Sequence, residues 1–383
     1  MNHRNLSHQL YCRAFLQLFS VVIILTILSF FNSCQVVRYV IYNFADIKDY
    51  KKFPSRTVHN DSVKFSFLAA KYGLAPKTIT DYKTNKKYTF ENYLKSDKTV
   101  AFIIIKNDSI QYENYFAGYD QKSIVPSFSV AKSILSILIG CAIDDGLIKS
   151  VDEPITNYLP ELRKNGLQKI TIKHLLQMTS GINCTESYIN PFGVVAGLYY
   201  GRNLKKNVSR MKLKSEPGKE FEYLSVNAQV LGLVLETALK TKTVSEYFQE
   251  KLWQPLGMEY DATWSLDKKK NGMEKTFCCI NACARDFAKI GRLYLNKGKW
   301  NGKQIVSENW VKESTKIDTT GNNVGFYHYL WWLPSKNGDF MASGHLGEYI
   351  YVNPFKNLII VRLGKDQGKI DWWNFFLLLA SEY

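Results

Sequence analysis

The 383-residue chain lacks the features that mark disordered, repetitive or metal-dependent proteins. It has only 10 prolines, no low-complexity tract and no internal repeat, and 46% of its residues are hydrophobic. Its six histidines have no ligand spacing, and no glycine-rich phosphate loop precedes a helix, so we expect neither a metal nor another cofactor. The composition predicts a large core in one domain or in two closely packed lobes.

The seven cysteines do not have the spacing of a disulfide framework. The segment CCINAC, residues 278–283, could hold a metal cluster, but no histidine lies near it in the sequence. Its position between a strand-like and a helix-like stretch favours small buried apolar side chains instead.

Basic residues outnumber acidic ones by 50 to 34, which gives a formal net charge of +16. The excess is concentrated in residues 201–214 and 268–270. Because no recognition module accompanies this charge, nucleic acid is not an expected partner. Two interpretations remain: a solvated basic surface, and attraction to anionic lipid headgroups or cell-wall polymer.

The N-terminal segment, residues 1–34, differs from the rest of the chain. Two arginines and no acidic residue accompany an 18-residue apolar stretch at 14–31, which is typical of an export signal and long enough to span a bilayer. The sequence FNSC, ending at Cys34, resembles a bacterial lipoprotein cleavage box. Lipidation at Cys34, an uncleaved membrane anchor and simple secretion all place the body outside the cytoplasm. We therefore expect an exported protein held at the membrane of the bacterial cell envelope.

The remaining sequence predicts strands at both ends of a helical middle. Residues 98–119 have the pattern of a β-hairpin, and residues 327–365 that of three further strands. A sheet built from both ends predicts an α+β architecture, with an antiparallel sheet, flanking terminal helices and a mostly helical lobe. A site is expected in the cleft between them. Residues 35–97 are predicted to be a lead-in, and residues 98–383 the main domain.

A serine and a lysine begin a long apolar helix predicted over residues 129–145. Ser129 and Lys132 are three residues apart, so their side chains share one face. The serine hydroxyl would lie at the helix N-terminus, where free N–H groups favour developing negative charge. Burial would favour a neutral lysine amine. A nucleophile, a base and N–H donors are what acyl transfer requires.

Other motifs follow in order along the chain: HLLQMTSGI from His174, FEYLS containing Tyr223, and HLG from His345. With SVAK at Ser129, they resemble the serine β-lactamase and penicillin-binding-protein superfamily over about residues 98–380. Within the class C-like branch, which includes esterases and the 6-aminohexanoate-dimer (nylon oligomer) hydrolases, FEYLSVNAQVLG, WQPLGMEYDATW and ARDFAKIGRLYLNKGKW are especially similar to the last group. The resemblance implies the β-lactamase/D,D-peptidase-like fold.

The resemblance also implies the role of each motif residue. Ser129 is the nucleophile, Lys132 accepts its proton, and Tyr223 relays a proton beside the lysine. Family members usually have Asn two positions after the tyrosine; Ser225 in this chain resembles the nylon-oligomer branch. His345 is expected to belong to the catalytic set, on the H-x-G strand that corresponds to K-T-G in other members. Because it is a histidine and not a lysine, we expect it to bind a substrate carboxylate less well at neutral pH.

The same strand is expected to complete the oxyanion hole. Gly347 would let the backbone approach the substrate, and the N–H of Glu348 would act together with that of Ser129. Simpler interpretations exist for three residues: Tyr223 as a packing aromatic, His345 as a satisfied strand histidine, and Ser225 as a helix cap. His174 is expected to be structural.

These observations favour a serine hydrolase that cleaves small esters or amides through an acyl-enzyme on Ser129. One alternative is a D,D-peptidase or β-lactamase acting on cell-wall peptides or β-lactams. Another is a binding or sensor lipoprotein that retains the fold without catalysis. The expected partners are a small-molecule or peptide substrate and, through the N-terminal segment, a membrane.

Overall fold

The computed structural model of the protein describes residues 17, 19–20, 34–81, 83–320 and 322–383. The predicted export or anchor segment lies almost entirely outside these residues, and so does the side chain of the proposed lipidation site, Cys34. Across the described part of the chain, no helix has both the length and the apolarity needed to cross a membrane.

The helices follow the apolar periodicity of the sequence and account for most of the middle of the chain. They are α1 (Cys34–Tyr42), α2 (Phe90–Ser96), α3 (Val130–Asp144), α4 (Ile172–Leu176), α5 (Val194–Tyr200), α6 (Leu204–Val208), α7 (Ser225–Leu239), α8 (Val244–Phe248), α9 (Ala284–Leu295), α10 (Glu308–Ser314) and α11 (Trp372–Ser381).

The strands lie mostly toward the two ends of the chain. They are β1 (Ser55–Val58), β2 (Leu68–Ala69), β3 (Thr78–Thr80), β4 (Lys87–Thr89), β5 (Thr99–Lys106), β6 (Ser109–Tyr115), β7 (Val125–Pro126), β8 (Ala262–Ser265), β9 (Ile280–Ala282), β10 (Lys299–Trp300), β11 (Lys303–Gln304), β12 (Tyr327–His328), β13 (Trp331–Trp332), β14 (Phe340–Ser343), β15 (Tyr349–Asn353) and β16 (Leu358–Gly364).

The main sheet joins both ends of the chain, as the sequence predicts. Its eight strands have the order β12-β13-β14-β15-β16-β5-β6-β2, and all neighbours are antiparallel except β2 and β6. The N-terminal β5 pairs with the C-terminal β16, with Ile103 opposite Val361. The predicted hairpin is β5 and β6, which a turn at Asn107 and Asp108 connects, both with positive φ.

The C-terminal region forms five strands, not the three that the sequence predicts. The stretch at 327–332 is divided into β12 and β13 by Tyr329 and Leu330, which have φ of 38° and 68°. Neither residue is of a type that commonly adopts positive φ, so the turn has no local sequence signal. The segment at 340–353 is similarly divided into β14 and β15.

Helices cover both faces of the main sheet. On one face, α9 approaches β15 and β16 closely at Gly291, where a Cβ atom would lie 3.0 Å from methyl carbons of Ile350 and Ile359. On the other face, α2 and α11 pack through an aromatic cluster. This cluster includes Phe90, Phe102, Tyr349, Tyr351, Trp372, Phe375 and Phe376.

A second sheet and the helical lobe hold the N-terminus of α3. The four strands of this sheet have the order β1-β8-β9-β7, and β7 ends three residues before Ser129. Helix α3 packs against α7 and buries 13 of its 15 residues, which agrees with the predicted apolar helix. Gly146, with a φ of 72°, follows its end as expected.

The predicted lead-in, residues 35–97, packs into the same body as the domain that follows it. Its strand β1 pairs with β8, with Ser55 opposite Ser265. Helix α1 packs against α5, and the Gln35 side chain donates to the carbonyl of Pro191 at 2.7 Å. The Tyr200 hydroxyl donates to the carbonyl of Asn43 at 2.5 Å.

Candidate active site

Ser129 lies at the N-terminus of α3, immediately before its first residue. The preceding residue, Phe128, has a φ of 42°, which is an uncommon and costly backbone conformation for a bulky side chain. Ser127 secures this turn, because its N–H donates to the carbonyl of Ile280 at 2.6 Å and its hydroxyl accepts the Ile280 N–H at 3.1 Å. The strained turn therefore has a defined support on β9.

Lys132 lies one turn into α3 and is only 1% exposed. Its Nζ lies 2.8 Å from the hydroxyl oxygen of Ser129 and donates a second hydrogen bond to the carbonyl of Phe277 at 2.9 Å. A buried amine is costly unless its polar contacts are satisfied, and these two contacts fix where the nitrogen lies. The structure thus joins the serine and lysine that the sequence pattern paired.

Tyr223 lies beside this pair, two residues before α7 begins. Its ring centroid is 5.1 Å from Nζ of Lys132. The ring stacks on Trp332 with centroids 5.5 Å apart, and it meets the Tyr327 ring edge-on with centroids 5.9 Å apart. The three side chains predicted to act together are therefore neighbours.

Ser225 is the first residue of α7, and the helix cap comes from elsewhere in the chain. The N-cap position belongs to Leu224, which has no capping side chain. Instead, the Glu186 carboxylate accepts the Ser225 N–H at 2.8 Å and the Ser225 hydroxyl at 2.5 Å. The interpretation of Ser225 as a cap is therefore wrong in detail. Sequence reasoning missed Glu186, since it lies in an irregular segment 39 residues away.

His345 lies in the turn between β14 and β15, not on a strand as the sequence reasoning expected. Its ring contacts Tyr188, with centroids 4.8 Å apart, and Phe128, at 6.0 Å. Desolvation of the ring is the main cause that lowers the pKa of His345 below its ordinary value, and the nearby carboxylate of Asp366 opposes this shift only in part. The imidazole is therefore neutral at pH 7 and carries no charge with which to bind an anion.

The rest of this turn is held by Arg362, which the sequence analysis did not single out. Its guanidinium is buried and donates to the carbonyls of Leu346, at 2.9 Å, and Gly347, at 2.7 Å. Gly347 has a φ of 81°, and a Cβ atom there would lie 1.8 Å from Nη1 of Arg362. Only glycine fits both the backbone conformation and this close approach.

Glu348 ends the turn and is fully buried. Its carboxylate accepts the Leu346 N–H at 3.0 Å, while its other oxygen has no hydrogen-bond partner among the described residues. Desolvation raises the pKa of Glu348 to about 8, so the carboxyl group is mostly neutral at pH 7. A neutral group here keeps negative charge away from the backbone N–H predicted to bind an oxyanion.

Ser129 lines a narrow cavity of about 60 Å³ that is partly open to solvent. Its walls are mainly aromatic and aliphatic. Three polar residues of the predicted site, Ser129, Ser225 and His345, also line it. The lining residues are Phe44, Ala45, Phe128, Ser129, Tyr188, Val195, Ala196, Tyr199, Tyr200, Ser225, Phe277, Cys278 and His345. Such a cavity suits a small, largely apolar ligand.

The cysteines of CCINAC are buried, as expected, but two of them are not free. Cys278 and Cys279 form a disulfide between adjacent residues, and Cys283 is a free buried thiol. Within the described ranges, no group of three or more potential ligand side chains could hold a metal ion. His174 has the expected structural role, because it forms a capping box with Thr171 at the start of α4.

A two-lobed α+β fold with a serine and a buried lysine at a helix N-terminus defines a β-lactamase-type serine hydrolase. The family model described as Beta-lactamase matches residues 90–371. The chain therefore belongs to the beta-lactamase family, and the predicted resemblance is confirmed.

Individual relatives have several activities. The 6-aminohexanoate-dimer hydrolase of Paenarthrobacter ureafaciens is 26% identical over 296 residues, which cover 71% of this chain and 74% of that protein. A solved structure from Bacillus anthracis, assigned as a 6-aminohexanoate-dimer hydrolase, has a TM-score of 0.78 at 23% identity and covers 89% of this chain and 94% of that one. A family VIII carboxylesterase has a TM-score of 0.61 at 19% identity, covering 76% and 94%.

Proposed function

We propose that this enzyme hydrolyses small esters or amides through an acyl-enzyme on Ser129. The observation that carries the proposal is the 2.8 Å contact between the Ser129 hydroxyl and the buried Lys132 amine, at the wall of a mainly apolar cavity. The geometry provides a nucleophile with an adjacent base, which is the minimum that covalent acyl transfer needs.

In the proposed reaction, Lys132 takes the hydroxyl proton as Oγ of Ser129 bonds to the substrate carbonyl carbon. The carbonyl oxygen becomes an oxyanion, which the N–H groups of Ser129 and Glu348 stabilise. When the bond to the leaving group breaks, the leaving group receives the proton through the Tyr223 hydroxyl. Water then attacks the acyl-enzyme by the same route, which releases the acid and restores the Ser129 hydroxyl.

The charges near the site favour neutral substrates over β-lactams, which carry a carboxylate. Glu186 places a carboxylate against Ser225, the position where relatives usually have an amide. His345, where other family members carry a lysine, is neutral at pH 7 because burial lowers its pKa. Neither residue attracts an anion, so a role as a β-lactamase or D,D-peptidase is the weaker alternative.

We also propose that the enzyme is exported and held at the membrane of the cell envelope. The support is the basic and apolar N-terminal sequence and the cleavage-box resemblance at Cys34. Fractionation of cells that express the wild type and Cys34→Ala is the direct test. A lipoprotein requires Cys34 for membrane retention, whereas a transmembrane anchor does not.

A fluorophosphonate probe tests the proposed nucleophile. Wild-type enzyme should be labelled, and Ser129→Ala should not be. Ser209→Ala is a matched control, because Ser209 and Lys212 form another S-x-x-K match whose serine hydroxyl donates to the carbonyl of Lys206. Labelling of Ser129→Ala would contradict the assignment. A folded wild type that resists the probe would favour a non-catalytic binding module, and stable labelling by a fluorescent penicillin would favour the D,D-peptidase.

A further inference from the structure

The disulfide between Cys278 and Cys279 lies in the wall of the candidate active site. Both residues are only 3% exposed, and their Cα atoms are 3.7 Å apart. Cys278 lines the same cavity as Ser129, so this end of the disulfide borders the space next to the proposed nucleophile. The proposed reaction leaves this pair without a role.

The disulfide is adjacent in the chain to a carbonyl that fixes the proposed base. The carbonyl of Phe277, one peptide bond before Cys278, accepts the hydrogen bond from Nζ of Lys132 at 2.9 Å. The orientation of that carbonyl depends on the backbone conformation of the segment from Phe277 to Cys279. Any change in this conformation alters where the amine lies relative to Ser129.

The backbone around the disulfide is unusual and is held by hydrogen bonds from β8. Cys279 has a φ of 73°, a conformation that is costly for a residue with a side chain. The carbonyl of Cys278 accepts the indole N–H of Trp264 at 3.0 Å, and the carbonyl of Cys279 accepts the N–H of Ser265, also at 3.0 Å. A bond between adjacent side chains closes a small ring that includes their peptide bond, so it restricts this conformation further.

We propose that the Cys278–Cys279 disulfide positions Lys132 through the Phe277 carbonyl, and that a dithiol reductant slows the acylation of Ser129. This inference rests on the proposed function. In the reaction, a thiolate of the reductant attacks one sulfur and forms a mixed disulfide, which the second thiol of the reductant resolves. The protein gains two electrons and two protons as two thiols, and the reductant becomes a disulfide. Both cysteines are positioning residues, since neither needs to touch the reacting atoms.

The test compares oxidised and dithiol-reduced wild type with a p-nitrophenyl ester. We expect reduction to lower kcat by about tenfold and to change KM less than twofold. The loss is smaller than the 10²- to 10⁴-fold that a general base contributes, because the amine is displaced and not removed. The final extent of labelling by a fluorophosphonate probe should stay the same while the labelling rate falls. A disulfide that only stabilised the fold would change the labelled fraction but not the rate of the folded enzyme.

Two variants separate the disulfide from other effects of the reductant. Cys278→Ala should have the lower kcat without reductant and should not respond to it. Cys279→Gly should behave in the same way. Because glycine readily adopts the positive φ of residue 279, we expect this variant to fold. Cys283→Ala removes a buried free thiol that does not line the cavity and should respond like the wild type.

Reduction has to be verified by the gain of two hydrogen masses on the 278–279 peptide. If verified reduction leaves kcat unchanged, or if Cys278→Ala is as fast as the oxidised wild type, the inference is wrong and the proposed function is unaffected. If oxidised wild type and Ser129→Ala are equally inactive toward esters and amides, the proposed function itself fails.

Discussion

Nζ of Lys132 lies 2.8 Å from Oγ of Ser129, although Lys132 is 1% exposed. Burial of an amine has a large desolvation cost, so natural proteins retain such groups where a specific contact compensates for it. Here the compensating contacts are the Ser129 hydroxyl and one backbone carbonyl. This arrangement favours a role for the lysine in chemistry over a role in packing.

Loss of the Lys132 amine should depress catalysis far more than it affects folding. We expect Lys132→Met, which keeps most of the side-chain length without the amine, to lower kcat/KM for a p-nitrophenyl ester by about 10²-fold or more. Lys212→Met, in the surface S-x-x-K match, is the control and should remain as active as the wild type. Turnover close to that of the wild type in Lys132→Met would exclude the lysine as the base.

The Tyr223 hydroxyl can be tested separately from the Tyr223 ring. Tyr223→Phe keeps the stacking on Trp332 and the edge contact with Tyr327 but removes the proposed proton relay. We expect kcat to fall by about tenfold to 100-fold with little change in KM. If Tyr223 is only a packing aromatic, Tyr223→Phe will have the kinetic constants of the wild type.

Glu186 should discriminate against substrates that carry a carboxylate. Its negative charge lies against Ser225, which lines the cavity. Repulsion between this charge and a substrate carboxylate would raise the barrier to acylation by about 1 kcal/mol, which corresponds to a several-fold slower rate. We expect Glu186→Gln to raise kcat/KM several-fold for p-nitrophenyl hydrogen succinate and to leave the neutral butyrate ester unchanged. Equal effects on the two esters would mean that Glu186 acts on the fold of the site and not by charge.

Phe44 should determine how much of a substrate acyl chain is buried. Phe44 is 58% exposed and lines the cavity, although its segment lies outside the residues that the family model matches. The hydrogen bond from the Tyr200 hydroxyl to the carbonyl of Asn43 holds this segment in place. With p-nitrophenyl esters from acetate to octanoate, wild-type kcat/KM should rise about three- to fourfold per buried methylene. Phe44→Ala should reduce the advantage of octanoate by about tenfold and leave acetate within twofold.

Phe355 provides the matched control for this series. Phe355 is 81% exposed and follows the C-terminal end of β15, whereas the His345 turn precedes the N-terminal end of this strand. Phe355→Ala should therefore have the chain-length profile of the wild type. An identical profile in Phe44→Ala would show that the N-terminal segment has no part in substrate selection.

Glu348 should make the protein less stable as the pH rises. Burial raises its pKa from 4.5 to about 8, so between these values the folded state keeps a proton that the unfolded state releases. The contribution to stability is fully present below about pH 4.5 and is lost as the pH rises to 8. The change in the free energy of unfolding is on the order of a few kcal/mol.

Urea unfolding at a series of pH values should show this decline in the wild type and a smaller one in Glu348→Gln. Equal declines would contradict the assignment.

The sequence predicted the elements whose signals are local. The α3 helix and the β5–β6 hairpin were predictable from apolar spacing, a closing glycine and an Asn-Asp turn. The division of β12 from β13 was not, because Tyr329 and Leu330 adopt positive φ without a turn-type sequence. Tertiary packing imposes this conformation, so the hydrophobic periodicity of the sequence does not indicate it.

For the site, the sequence predicted the residues of the motifs but not the groups that hold them. Ser129 and Lys132 share a helical face, so their contact follows from spacing alone. Glu186 and Arg362 act from distant segments, and the Phe277 carbonyl belongs to the backbone, so none has a motif. The Cys278–Cys279 bond was missed because spacing rules for disulfides do not consider adjacent cysteines.

Mapping of the trapped acyl group tests the central claim most directly. Wild-type enzyme mixed with a slowly turned-over p-nitrophenyl ester is quenched in acid, digested and analysed by mass spectrometry. We predict that the acyl mass is found on the peptide containing Ser129, at up to one equivalent, and that it is absent from Ser129→Ala. An acyl group on any other residue, or ester hydrolysis by Ser129→Ala at the wild-type rate, would contradict the account.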